Sequence, residues 1–216
     1  ECTKRLATAT SDENGDVQFE DKWPAGTYYL RETTAPVGYT AAELTWTVKI
    51  AAGKATISTP GGTTVTEVKN TSRLRLKLKV RGPLGEELPG AVLRVTRDNG
   101  SPMLYKTNEA GAALLEQMPA GDYIIQLAGT PTGYVPEDSA PNLKAEYGTL
   151  TYLDTVNTAW QLEQCEGEEY TYLLTLELKE LHILPSTGGA GTVPFTLAGA
   201  ALMAVAVLLP GRKKVK

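Results

Sequence analysis

The sequence predicts an all-β protein, built of tandem β-sandwich modules followed by a single C-terminal transmembrane helix. Three observations predict it. Apolar and polar residues alternate at period two, one set of motifs occurs twice, and residues 189–209 carry no ionisable side chain.

Successive side chains of a strand point to opposite faces, so period-two alternation marks a half-buried strand. Val17-x-Phe19, Tyr28-x-Leu30, Leu44-x-Trp46-x-Val48-x-Ile50 and Val65-x-Glu67-Val68 alternate in this way. So do Leu74-x-Leu76-x-Leu78-x-Val80, Val92-x-Arg94-Val95, Tyr123-x-Ile125 and Tyr170-x-Tyr172-x-Leu174-x-Leu176-x-Leu178. Turn clusters punctuate them at Asp12-Glu13-Asn14-Gly15, Gly61-Gly62 and Arg97-Asp98-Asn99-Gly100. Short strands with regular turns fit small antiparallel sandwiches. No segment before Gly189 carries a helical stripe. Asp12 to Asp16 superficially resembles a calcium loop, but the carboxylate spacing and the closing Glu are missing, so it reads as a hairpin turn.

The motif string Pro24-Ala25-Gly26-x-Tyr28 returns as Pro119-Ala120-Gly121-x-Tyr123, and Pro36-x-Gly38-Tyr39 returns as Pro131-x-Gly133-Tyr134. Every pair is offset by 95 (24 to 119, 39 to 134), and one offset shared by two motifs indicates duplication. The expected organisation is a first module at 1–72, a second and divergent one at 73–182, and a C-terminal segment at 183–216. Both modules are long enough to hold a core of their own.

Gly189 to Leu209 is an uncharged run of 21 residues, and about 20 apolar residues suffice to cross the ~30 Å hydrocarbon core. The basic tail at 210–216, with Arg212, Lys213, Lys214 and Lys216, stays on the cytoplasmic side and leaves residues 1–187 outside. Just ahead of the span, Pro185 keeps Leu184 extended and Gly188-Gly189 stops a helix from starting. Residues 184–188 are therefore expected to form an accessible extended strand.

The span and tail hold four of the 21 Lys and Arg and none of the 25 acids, leaving 17 basic against 25 acidic residues and a charge of −8 outside them. Such a surface repels nucleic acid and anionic lipid, so neither is expected as a partner of the mature part. Cys2 and Cys165 fall in different modules and are expected to remain unbridged. The lone His182 has no Ser/Asp or Cys constellation around it, and one His with two distant Cys builds no zinc site. Glycine-rich segments lack phosphate-loop spacing. The expectation is no enzyme, no catalytic residue, no metal and no cofactor. Trp23, Trp46 and Trp160 are read as core, the alternative being a carbohydrate- or matrix-binding face that would need Trp46 and Trp160 exposed. No N-terminal signal peptide is visible although the C-terminus demands export, so Glu1 is read as lying inside a longer chain.

Leu184-Pro185-Ser186-Thr187-Gly188, followed by an apolar span and a basic tail, resembles the LPXTG cell-wall sorting signal of Gram-positive surface proteins. The resemblance implies that a sortase recognises Leu184 to Gly188 and cuts between Thr187 and Gly188. The Thr187 carboxyl then passes to an amine of a peptidoglycan precursor or of a pilin lysine, and the span at 189–209 enters the membrane only transiently. A permanent type I single-pass protein is the competing reading, since the span alone fits both.

Asn14-Gly15-x-x-x-Phe19 and Gly26-Thr27-Tyr28-Tyr29-Leu30-Arg31-Glu32-Thr33-Thr34-Ala35-Pro36-Val37-Gly38-Tyr39 resemble the SpaA-type/Cna-B-type domains of Gram-positive pilins and adhesins. Lys79-Val80 and Leu88-Pro89-Gly90-Ala91-Val92-Leu93 are similar to the family's opening strand and the segment after it. This implies prealbumin-like/Ig-like sandwiches serving as a stalk or pilin-like module on the cell wall, with a host or matrix ligand bound through a region N-terminal to residue 1. The Tyr-Pro-Lys-Asn-like motif of shaft-forming pilins is missing, which points to an adhesin or an accessory or basal pilin.

Many members of that family join a Lys to an Asn by a spontaneous isopeptide bond, assisted by a buried acid. Burial neutralises both amine and carboxyl, and the fold supplies proximity. The resemblance places the acid at Glu32 and the amide at Asn70. The donor, counted back 95 from Lys79, falls before residue 1, and Lys4 lies one strand too late. In the second module Leu127 stands at the acid position, 95 after Glu32, and the last strand from Tyr170 to Leu181 has no Asn. No crosslink is expected there, and Lys79 reads as an ordinary strand lysine.

Overall fold

Every regular element among the described residues is a β-strand. The computed structural model describes residues 4–20, 22–154 and 159–182. The predicted membrane span lies outside them.

In the first module β1 (Gly26–Arg31), β3 (Thr45–Ala51) and β4 (Lys54–Ser58) form an antiparallel sheet in the order β1-β3-β4, while β2 (Tyr39–Thr40) pairs with β5 (Thr71–Ser72). Alternation fixes which face is covered. Trp46 is 3% exposed and Val48 and Ile50 are half-buried, while Thr45 and Lys49 face water. Leu44 was expected to share the inward face, but it precedes the strand and is exposed. Trp23 packs in tilted contact with Phe19 (5.3 Å between centroids) and with Tyr28 (5.0 Å), so two aromatic rings cover it.

Two expected strands do not form. Around Val17 the Asp12 carboxylate accepts the N–H groups of Asn14 and Asp16 (2.9 Å each) and closes the expected turn, yet the flanking residues pair with no strand. Val17 is exposed, and Phe19 packs on Trp23 instead. Val65 donates to the Ile57 carbonyl (2.9 Å) beside a single Ser58–Thr64 bridge, and the pairing goes no further. Lys4 likewise sits in irregular, exposed chain.

The second module contains β6 (Arg75–Arg81), β7 (Val92–Arg97), β8 (Met103–Lys106), β9 (Ala112–Leu115), β10 (Gly121–Gly129), β11 (Asn142–Glu146), β12 (Thr149–Tyr152), β13 (Trp160–Gln164) and β14 (Thr171–Glu177). They make two sheets, β12-β11-β10-β7-β8 and β13-β14-β6-β9. Leu76, Leu78, Val80, Leu174, Leu176 and Leu178 from one sheet share a buried core with Leu93, Val95, Tyr123, Ile125 and Leu143 from the other. Trp160 is 1% exposed, and its indole N–H donates to the carbonyl and hydroxyl oxygens of Ser139 (3.2 Å each).

The sandwich is not purely antiparallel. β14 runs parallel to β6, in register from Arg75–Thr171 to Arg81–Glu177. Period-two patterning specifies which face of a strand is buried but not its direction, so a parallel pair leaves no trace in it.

The duplication is visible atom by atom. Tyr28 donates its hydroxyl to the Pro24 carbonyl and Tyr123 to that of Pro119, both at 2.9 Å. The Tyr39 N–H reaches Pro36 O (3.1 Å) and the Tyr134 N–H reaches Pro131 O (3.3 Å). Gly38 (φ 81°) and Gly133 (φ 91°) supply the positive φ that the third position of such a type II turn requires.

Only Arg73 and Leu74 separate β5 from β6, and both are held. Leu74 is buried in the second module's core, and its N–H donates to the Ser72 hydroxyl (3.2 Å). Arg73 donates its backbone N–H to Gly38 O (2.9 Å), pairs with Glu169 (3.1 Å) and lies 4.5 Å over the Tyr170 ring. The Gly38 backbone abuts Gly148 so closely that a Cβ on Gly38 would sit 2.5 Å from the Gly148 Cα. At Gly133, the same place in the second copy, nothing lies within 4 Å.

Candidate functional site

Glu32 follows β1 and keeps the parity of Tyr28 and Leu30, so its carboxyl continues that strand's half-buried face. Asn70 precedes β5 and shares parity with the buried Ser72. The β2–β5 pair brings these two residues together from 38 positions apart. The Asn70 side-chain N–H donates to Glu32 Oε1 (2.8 Å), and the Ala42 N–H donates to Oε2 (3.0 Å). Both carboxylate oxygens are thus engaged. Asn70 Oδ1 is buried with no hydrogen-bond partner among the described residues. A buried orphan carbonyl costs desolvation energy and calls for an explanation. An amine arriving beside Asn70 would supply a donor to that oxygen and a nucleophile to its carbon. Lys69, the adjacent lysine, is turned to the surface and paired with Glu67 (2.9 Å).

Removing the acid tests how far the pair supports the module. Glu32→Ala leaves the Asn70 and Ala42 donors without their acceptor, and a loss of about 1–3 kcal/mol is expected. Urea denaturation followed through Trp46, which lies opposite Leu30 in the β1–β3 ladder, reads this directly.

In the second module the same place is apolar. Leu127 occupies the Glu32 position and packs on the core. The Tyr39–Ser72 pairing of the first module recurs as Tyr134–Glu180 in the second, and counting back two residues from each sets Leu178 where Asn70 stands. Acid and amide have both become leucine. Lys79 points to the opposite face and pairs with Glu87 (3.2 Å). This loss of the amide was legible in the sequence only as a missing Asn, since the longer second module shifts its last strand off the 95 offset.

The last strand is tied down almost to the end of the described chain. Leu178 N–H donates to Arg81 O (2.9 Å) and Val135 N–H to Lys179 O (2.8 Å). Tyr134 also donates its hydroxyl to Glu86 Oε1 (2.8 Å), which holds the Glu86 carboxyl below the usual range and raises the phenol. Leu181 and His182 are exposed. Leu184, Pro185, Ser186, Thr187 and Gly188 lie outside the described residues, as does Cys2. Cys165 is a free thiol. With Trp46 and Trp160 buried and Trp23 half-buried between Phe19 and Tyr28, no exposed tryptophan platform for a sugar exists among the described residues.

The SpaA family model, described as a prealbumin-like fold domain, matches residues 2–69 and 77–158, more than half of the 216-residue chain. The chain belongs to the SpaA prealbumin-like domain family. A second family model, the LPXTG cell wall anchor motif, matches residues 181–216. Its presence implies sortase processing and places this SpaA-family chain at the cell wall and extracellular surface of a Gram-positive bacterium, as a surface module of the pilin or adhesin kind.

Similar solved structures include a C-terminal fragment of the pilus adhesin SpaC from Lactobacillus rhamnosus GG, at 15% identity over 82% of this chain and 89% of that one (TM-score 0.44). The longer SpaC adhesin is similar at 14% identity over 81% of this chain and only 28% of its own (TM-score 0.46). The group B streptococcus pilus 2b backbone protein is similar at 15% identity over 82% and 78% (TM-score 0.42). No curated protein matches the chain.

Proposed function

We propose that this chain is the wall-proximal stalk of a sortase-anchored adhesin or accessory pilin, with modules at 1–72 and 73–182 and a processed signal at 183–216. The observation that carries the reading is Leu184-Pro185-Ser186-Thr187-Gly188 set directly before an uncharged run and a basic tail, within the stretch matched by the anchor family. Thr187 is the attachment point. Its acyl group passes to an amine of a peptidoglycan precursor or of a pilin lysine, and Gly188 onward is discarded. The chain is a substrate and a scaffold rather than an enzyme. A permanent membrane anchor would leave the spacing of the five-residue motif unexplained.

Thr187→Ala checks this in a sortase-bearing Gram-positive host. Expressed behind a secretion signal, the wild-type chain is expected in the wall fraction, released only by muralytic digestion, and the variant in the membrane fraction or the medium. Equal wall recovery of both would remove the reading.

Glu32 and Asn70 form the acceptor half of an intramolecular crosslink in this proposal. A lysine amine attacks the Asn70 side-chain carbonyl carbon, a C–N bond forms, and the Asn70 amide nitrogen leaves as ammonia. The hydrogen bond from Asn70 to Glu32 and the buried, unpartnered Oδ1 support it. The Leu127–Leu178 replacement supports a second module that holds together without a covalent bond.

A further inference from the structure

The geometry points to a mechanical role for the second module: the β6–β14 pair is a shear clamp that carries tension between the first module and the wall. This rests on the anchoring proposed above, which supplies the tension. Load arriving from the first module enters β6 at Arg75, because only two residues separate β5 from β6. Load from Thr187 first meets the short Tyr134–Glu180 and Val135–Lys179 contacts, and beyond them enters β14 at Glu177. These two strands are neighbours and parallel, in unbroken register over seven pairs from Arg75–Thr171 to Arg81–Glu177. Tension therefore pulls on opposite ends of one ladder. Its hydrogen bonds lie across the pull and must yield together, whereas a ladder pulled from one end opens bond by bond.

Four features reinforce that pair. Backbone bonds extend it at both ends, Arg75 N–H to Tyr170 O (2.9 Å) and Leu178 N–H to Arg81 O (2.9 Å). β9 and β13 flank it, so neither loaded strand is an edge. Leu76, Leu78, Val80, Leu174, Leu176 and Leu178 bury one face of the ladder, keeping water from competing for its bonds. Ion pairs close the loaded ends, Arg81 with Glu177 (3.2 Å) and Arg73 with Glu169 (3.1 Å). The module thus resists extension by geometry, at the position where its acid and amide have been replaced by leucine.

Single-molecule force spectroscopy on the chain through Thr187 separates shear from peeling without weakening the fold. In the first geometry the handles are at residue 1 and after Thr187. In the second they are after Thr187 and on Leu84→Cys, in a Cys2→Ser, Cys165→Ser background. Leu84 is 94% exposed in the turn that follows β6, on the same end of the ladder as the exit of β14. The unfolding event of the second module, identified by its contour length, should need roughly two-fold or more force in the first geometry, since forced unfolding reports the barrier of the route imposed. A smaller ratio overturns the clamp. The measurement needs no sortase and no host, so it fails or succeeds independently of the anchoring.

Discussion

Gly38→Ala is expected to destabilise the chain by roughly 3–5 kcal/mol, well beyond the same change at Gly133, for which about 1–2 kcal/mol is expected. Both glycines turn a Pro-x-Gly-Tyr corner at positive φ, so both substitutions place Ala in a strained conformation. They differ in what surrounds them. A Cβ at Gly133 meets open space, whereas at Gly38 it strikes the backbone of Tyr147 and Gly148, which cannot swing away as a side chain would. Gly148 is itself packed on that side, since a Cβ built on it would meet both the Gly38 Cα and the Tyr170 ring. Shifting the Gly38 corner away from that backbone would strain the Arg73 N–H bond to Gly38 O and the contacts of Arg73 with Glu169 and Tyr170. Urea midpoints for the two variants, with amide exchange at Arg73 and Arg75, measure this. Equal losses at the two glycines would mean that the junction carries no packing load.

Trp160→Ala should cost about 3–5 kcal/mol, the usual range for emptying a large aromatic site in a core. Trp160 opens β13, is almost fully buried, and donates from its indole to both oxygens of Ser139. Trp160→Phe keeps much of the volume but leaves those acceptors without their donor, so an intermediate loss is expected in thermal or urea denaturation. A near-neutral Trp160→Ala would indicate an exposed ring and would revive the sugar-binding reading.

The sequence made some of this legible and not the rest, for identifiable reasons. The strands around Leu76 to Val80 and Leu174 to Leu178 were readable because the leucines and Val80 line one buried face while the residues between them are polar, and that is what alternation records. Their parallel pairing was not, because direction leaves no periodic mark. The Pro-x-Gly-Tyr repeat marked Gly38 and Gly133 as equivalent positions, but the contact of Gly38 with Gly148 depends on how the two copies meet, which no local pattern encodes. Val17 and Val65 alternate correctly and still find no ladder, since a strand needs a partner as well as a pattern. Glu32 and Asn70 were found through a family motif rather than through spacing, and the structure sets them 2.8 Å apart.

The chemistry at Thr187 is the most direct test of anchoring. Digested cell wall from a sortase-bearing Gram-positive host that secretes the chain behind a signal peptide, analysed by mass spectrometry, should yield a peptide ending at Thr187 whose carboxyl is joined to another amine. A peptidoglycan branch there identifies a wall-anchored adhesin or pilus base, and a branch to another protein's lysine identifies a polymerised pilin. Recovery of the intact Thr187–Gly188 bond as the main species would contradict sortase anchoring and leave a protein held in the membrane by its span.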